Sequence, residues 1–64
     1  MNAFETILEL IKTNPGITNR EMETKSNFAY RTINFQVGKL RKMGKIKFGY
    51  NRRDMRVKVW FVVE

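Results

Sequence analysis

The sequence contains no cysteine and no histidine. Disulfides, zinc knuckles and thiol nucleophiles are excluded by the first absence. The second removes the commonest general base and the commonest metal ligand. Proline occurs once and acidic residues only six times. Apolar runs are short: the longest, residues 59–63, falls far below the ~20 residues of a membrane span. The opening Met-Asn-Ala-Phe-Glu has neither a basic nor an apolar signal segment, which predicts a cytoplasmic protein. A chain of 64 residues buries only roughly 60% of the surface its unfolded form exposes, too little for a deep catalytic cleft. The few carboxylates stand mostly in the first part of the chain, and no phosphate loop or metal cluster is visible. An enzyme is therefore not expected, nor a cofactor, a metal or a membrane partner.

Positive charge is what the sequence has in excess, and it is unevenly placed. Thirteen Lys and Arg stand against six Asp and Glu, a net of +7. Residues 1–29 carry a net −1, whereas residues 30–58 carry ten basic side chains against Asp54 alone, a net of +9. A scattered excess would read as a solubility surface. A near-neutral half followed by a basic half is the footprint of a polyanionic partner, nucleic acid ahead of an acidic membrane surface.

Hydrophobic periodicity divides the chain into five elements. Phe4, Ile7, Leu8 and Ile11 form the stripe of an amphipathic helix, with Asn2 as its cap and Glu5 supporting the first turn. Asn14-Pro15-Gly16 ends it in a type II turn, and Ile17 follows as a short extended anchor, a candidate third strand. Thr18-Asn19-Arg20-Glu21 is a capping box opening a short second helix with Met22 facing inward. Phe28 is the next core residue. A third helix runs from Ala29 to Met43, with Ile33, Val37 and Leu40 on one face and Gly44 as its stop. The period then changes to two. Ile46, Phe48 and Tyr50, and later Val57, Val59, Phe61 and Val63, alternate with other residues on either side of a polar turn at Asn51-Arg52-Arg53-Asp54. The expected class is α+β: three helices followed by a two-stranded β-hairpin, in one domain spanning residues 1–64.

This ordered set resembles the winged helix-turn-helix family. Thr18-x-x-Glu21-Met22 is similar to the start of that family's second helix. Thr32-Ile33 with Val37, Leu40, Gly44 and Ile46 is similar to its recognition-helix core and exit into the first wing strand. The resemblance implies that the third helix enters a major groove while the wing touches phosphate or the minor groove. It also implies a small transcriptional regulator reading double-stranded DNA, and a homodimer on a two-fold site suits so short a reader. Ala29 departs from the pattern, because the family usually caps this helix with Ser, Thr or Asp there. Ser26 or Asn27 is then expected to cap it a turn earlier.

Angular position on the third helix selects the candidate DNA contacts. With Ile33 pointing inward and about 100° per residue, Arg31, Phe35, Gly38 and Lys42 fall on the opposite side, flanked by Asn34, Lys39 and Arg41. Arg can fork onto guanine, Asn can pair with adenine, and Phe can meet a thymine methyl, or else Phe35 covers part of the core or a partner chain. Gly38 would let the helix backbone approach the duplex, or else ease packing against a neighbouring helix. Tyr30 stands either at the DNA edge of this face or buried. On the wing, Arg52, Arg53 and Arg56 cluster at the tip as phosphate or minor-groove contacts. Lys45, Lys47 and Lys58 are expected to share the hairpin's outer face. Trp60 and Val62 share the side of Lys58, opposite Val59 and Phe61, and either cover the first helix or form an apolar patch for a second subunit. The DNA-binding set is thus Tyr30, Arg31, Asn34, Phe35, Gly38, Lys39, Lys42, Lys47, Arg52, Arg53 and Arg56.

Two other readings remain open at this point. One is a protein-interaction winged helix whose basic face meets an acidic partner. The other is a structure-selective binder of RNA or left-handed DNA. Asn34 matches the left-handed-DNA readers of this fold, but their aromatic one turn later is Gly38 here, and the wing lacks their prolines.

Overall fold

In the computed structural model, which describes residues 2–63, the apolar stripe at the start of the chain becomes α1 (Ala3–Thr13), with Ile7 and Ile11 buried. Asn2 caps it, its Oδ1 accepting from the Glu5 N–H at 2.9 Å. The chain then reverses at Asn14-Pro15-Gly16. Gly16 has φ +85°, and the Ile17 N–H donates to the Asn14 carbonyl at 3.1 Å. This is the type II turn that a proline followed by glycine favours. Ile17 does not form a strand. It makes one isolated antiparallel bridge to Trp60, whose N–H donates to the Ile17 carbonyl at 3.0 Å. The sheet therefore has two strands, because Thr18, still extended, already caps the next helix and the chain turns helical at Asn19.

That helix, α2 (Asn19–Lys25), carries both bonds of the capping box. Thr18 Oγ1 accepts from the Glu21 N–H and Glu21 Oε1 from the Thr18 N–H. Ser26 does not cap the third helix, as the sequence suggested. It closes α2, donating its hydroxyl to the Met22 carbonyl at 2.7 Å and accepting from the Phe28 N–H at 3.3 Å. Consequently α3 (Tyr30–Lys42) starts after Ala29 with no side-chain cap. Its other end is well closed. The Gly44 N–H donates to the Arg41 carbonyl and the Lys45 N–H to the Leu40 carbonyl, both at 3.0 Å, with Gly44 at φ +72°. These are the paired bonds of a Schellman motif, which needs the left-handed conformation glycine tolerates.

The hairpin consists of β1 (Ile46–Tyr50) and β2 (Lys58–Val62), antiparallel, with Ile46 opposite Val62 and Phe48 opposite Trp60. Its loop is longer than the sequence pattern implied. Val57, expected in the strand, is taken up by a turn in which its N–H donates to the Asp54 carbonyl at 3.1 Å. Directly opposed residues share a face, so Ile46, Phe48, Tyr50, Lys58, Trp60 and Val62 form one side of the sheet. That side faces the helices. Trp60 and Ile46 join the core built from Ile7, Ile11, Ile17, Met22, Ile33, Val37 and Leu40, and Val62 packs against it with Leu10. The Trp60 ring thus covers the helices, and the apolar-patch alternative for this residue is excluded. Five of the core side chains (Ile7, Ile11, Met22, Ile33 and Leu40) are completely buried, each contributing about 1.5–3 kcal/mol of transfer free energy. Among the described residues no polar or charged residue is buried.

Candidate nucleic-acid interface

Burial of Ile33, Val37 and Leu40 against α1 and α2 turns the opposite side of α3 outward. Asn34, Phe35, Gly38, Lys39 and Lys42 line a shallow groove there of about 430 Å³. Phe35 is 67% exposed, so it covers no part of the core. A Cβ built on Gly38 would meet nothing within 4 Å, which removes the expectation that this glycine eases packing between helices. Arg31 is exposed on the same helix, one turn before Phe35.

A second depression, of about 460 Å³, lies between the start of α2, the start of α3 and the loop end of β2. Tyr30, 44% exposed, and Arg56 border it together with Arg20 and Lys58. The uncapped start of α3, at Tyr30, lies on the same cleft. Three cations and a phenol around an open cleft suit an anionic group such as a phosphate.

Seven residues, 51–57, form the wing tip between the strands. Side-chain oxygens hold it: Asn51 Oδ1 accepts from the Arg53 N–H at 2.8 Å, and Asp54 Oδ1 from the Arg56 N–H at 3.0 Å. These local bonds leave the Arg52 and Arg53 side chains exposed. Arg56 folds back, its Nε 3.2 Å from Asp54 Oδ1. The backbone and side-chain bonds from Arg56 hold the Asp54 carboxyl below its ordinary pKa.

All ten basic side chains of residues 30–58 are exposed. Among the described residues the one ion pair is Arg56–Asp54. Nine of the ten cations therefore carry charge that no carboxylate of the described fold neutralises. Three of them face an aromatic ring instead, two at Phe48: the Arg41 guanidinium lies 4.6 Å and the Lys58 ammonium 5.2 Å from the centre of that ring. Such contacts stabilise by about 0.5–1 kcal/mol at exposed sites, and the one from Arg41 joins α3 to the hairpin. Lys39 likewise lies 5.5 Å from the Phe4 ring.

Lys47 and Lys58 do not share a face, contrary to the sequence expectation. Lys47 opposes Phe61 on the side away from the helices, and Lys58 opposes Tyr50 on the side toward them. The two are separated by an odd number of pleats once the register is known, and the register depends on the loop length that the sequence pattern underestimated. Lys47 borders neither depression.

Asn19 was not singled out by sequence. Its Oδ1 accepts from the Trp60 indole N–H at 2.7 Å, and its Nδ2 donates to Asn34 Oδ1 at 2.6 Å. These partners stand 41 and 15 residues away in the chain, so no local pattern announces them. Arg20 is similar: only folding brings it beside Arg56 and Lys58.

Among the described residues no helix is long and apolar enough to cross a membrane. A comparison with curated protein sequences gives no match. Solved structures of the same fold do match. One is a MarR family transcription regulator, with TM-score 0.89 and 18% identity, covering 95% of this chain and 40% of that one. A second is MarR, with TM-score 0.86 and 23% identity over 100% of this chain and 47% of that one. A third is FabT of Streptococcus pneumoniae in complex with DNA, with TM-score 0.81 and 19% identity over 97% and 43%. The chain thus spans less than half the length of each. A family model for winged helix-turn-helix DNA-binding domains matches residues 5–47, from the first turn of α1 into β1. With that match over more than half of the sequence, and with three helices and a hairpin in the family's order, the chain belongs to the winged helix-turn-helix DNA-binding family.

Proposed function

We propose that the domain binds double-stranded DNA sequence-specifically and acts in transcriptional regulation, with α3 in the major groove and the wing on the backbone or minor groove. The observation that carries this reading is the disposition of charge. Ten exposed cations lie on α3, the hairpin and their junction, and nine have no carboxylate partner among the described residues. Like charges in such number repel one another within the compact fold, whereas contact with a phosphate backbone neutralises them. Arg31, Asn34, Phe35, Gly38, Lys39 and Lys42 are the groups of α3 assigned to the groove. Tyr30 and Arg56 border the cleft suited to a phosphate, Arg52 and Arg53 reach from the wing tip, and Lys47 is a peripheral backbone contact. That FabT, a protein of this fold, has been solved in complex with DNA supports DNA as the partner. Two copies on a two-fold site would extend a footprint that is short for one copy.

The test is a titration of random and genomic duplexes at two salt concentrations. If about five cations per copy meet phosphates, log K falls with log salt at a slope near −4 to −5 per copy. Arg31→Ala and Asn34→Ala are expected to relax base preference, each costing roughly 1–3 kcal/mol at the preferred site. A slope near zero, with tight binding to an acidic protein, would assign the basic face to protein recognition instead.

A further inference from the structure

We infer that Asn19 is a positioning residue that decides which end of the Asn34 amide meets a base, so that Asn34 recognises a keto base, guanine or thymine. The inference rests on the proposed reading that the outer face of α3 meets DNA.

An indole N–H donates and never accepts. Trp60 is 5% exposed and belongs to the hydrophobic core, so its ring has one position. The atom of Asn19 facing Trp60 Nε1 must then be the amide oxygen, and this bond is 2.7 Å long. Leaving a buried indole N–H unpaired is costly, which holds the Asn19 amide in this sense. Its other end, Nδ2, is a donor only. The atom of Asn34 that receives it at 2.6 Å must therefore be Oδ1. Two successive amides are thus oriented by one donor-only group on β2.

Asn34 itself is exposed on the groove-facing side of α3. With Oδ1 turned toward Asn19, the end left for a partner is the NH₂ group. In the major groove guanine O6 and thymine O4 are acceptors, whereas adenine N6 and cytosine N4 are donors. An outward NH₂ group favours the first pair and opposes the second. A grip on adenine with both ends of the amide is disfavoured, because one end is already engaged. The relay also ties base choice on α3 to the wing strand, since Trp60 is part of β2.

The experiment is selection from duplexes carrying a randomised segment, using the whole chain and its variants, with far-UV circular dichroism and thermal melts as checks on folding. Asn34→Ala locates the base position that Asn34 reads. At that position the unaltered chain is expected to select guanine or thymine. In Asn19→Asp the carboxylate still accepts from Trp60 but cannot donate to Asn34. The Asn34 amide then turns to donate inward and presents Oδ1 outward. Preference is expected to move to adenine or cytosine, a change on the order of five- to tenfold at that position. The added negative charge lowers affinity for every duplex alike and leaves this ratio untouched. Trp60→Phe, which keeps the ring and removes the N–H, is expected to flatten preference at the same position only, with an unchanged salt slope. Asn19→Asp leaves the core intact, so the test survives should the Trp60 variant fail to fold.

Selection of adenine or cytosine by the unaltered chain overturns the inference. So does an Asn19→Asp variant that keeps the original base, or an Asn34→Ala variant with unchanged selection throughout. In each of these cases duplexes are still enriched, and the proposed function stands. Enrichment of no duplex by the unaltered chain overturns both.

Discussion

Replacing Gly38 by alanine separates stability from recognition at a single methyl group. Glycine in a helix interior is less favourable than alanine by about 0.8–1.0 kcal/mol. Gly38 stands inside α3, and a Cβ placed there meets nothing within 4 Å. No steric term opposes the gain, so Gly38→Ala is expected to stabilise the domain by nearly the full amount. For a domain of this size, 1 kcal/mol moves the midpoint of thermal unfolding by about 4–8 °C. If the backbone at Gly38 lies against a duplex, the same methyl intrudes on a close-packed interface. Overpacking of that kind costs roughly 1–3 kcal/mol, a loss of about five- to 150-fold in affinity. No charge is removed, so the salt slope stays the same. Denaturant or thermal melts measure the first effect, and duplex titration at fixed salt measures the second. A more stable variant with unchanged affinity would show that the duplex does not approach this turn of α3. A less stable variant would refute the argument from open space.

Other expectations follow from single observations. Arg52→Ala with Arg53→Ala is expected to weaken binding to all duplexes by a similar factor and to flatten the salt slope by about two. Stability should change by less than about 0.5 kcal/mol, as both side chains are exposed; a loss confined to one sequence would mean that the wing reads bases or groove width. Gln36→Met is expected to stabilise the domain by up to about 1 kcal/mol in denaturant melts, because Gln36 Oε1 is buried without a hydrogen-bond partner; a clear loss of stability would show that this oxygen is paired. Asp54 is expected to titrate below the usual aspartate value of about 3.9 when followed by NMR, since the Arg56 backbone and side-chain bonds favour its charged form. A lowered folded-state pKa means that its contribution to wing order is complete above the ordinary value and is lost as pH falls through the lower one. Arg56→Ala should raise the midpoint only in part, because the backbone N–H remains; a midpoint at or above the ordinary value would contradict the observed turn.

Local chemistry made much of the framework legible in the chain itself. The Asn2 cap, the turn at Pro15-Gly16, the Thr18–Glu21 capping box and the stop at Gly44 each act within a few residues. The buried faces of α1 and α3 follow from periodicity alone, as does the outward display of Arg31, Asn34, Phe35, Gly38 and Lys42. The excess of positive charge after residue 29 is likewise a property of composition.

What tertiary structure decided depends on distance in the chain and on register. Strand alternation shows that two faces exist but not which one meets the helices. Trp60 is inward because the pairing places it opposite Phe48, and because Ile17 receives its N–H. A loop of residues 51–57 sets that register, so Lys47 and Lys58 part to opposite sides. Ser26 offered two local uses, and closing α2 prevailed over capping α3 because its hydroxyl reaches the Met22 carbonyl. The bonds from Trp60 through Asn19 to Asn34 exist only once β2, α2 and α3 are assembled. A sequence determines the backbone conformations that neighbouring residues can enforce. The orientation of a side chain by a partner 41 residues away is settled only by packing, because chain entropy opposes such a contact until the core has formed.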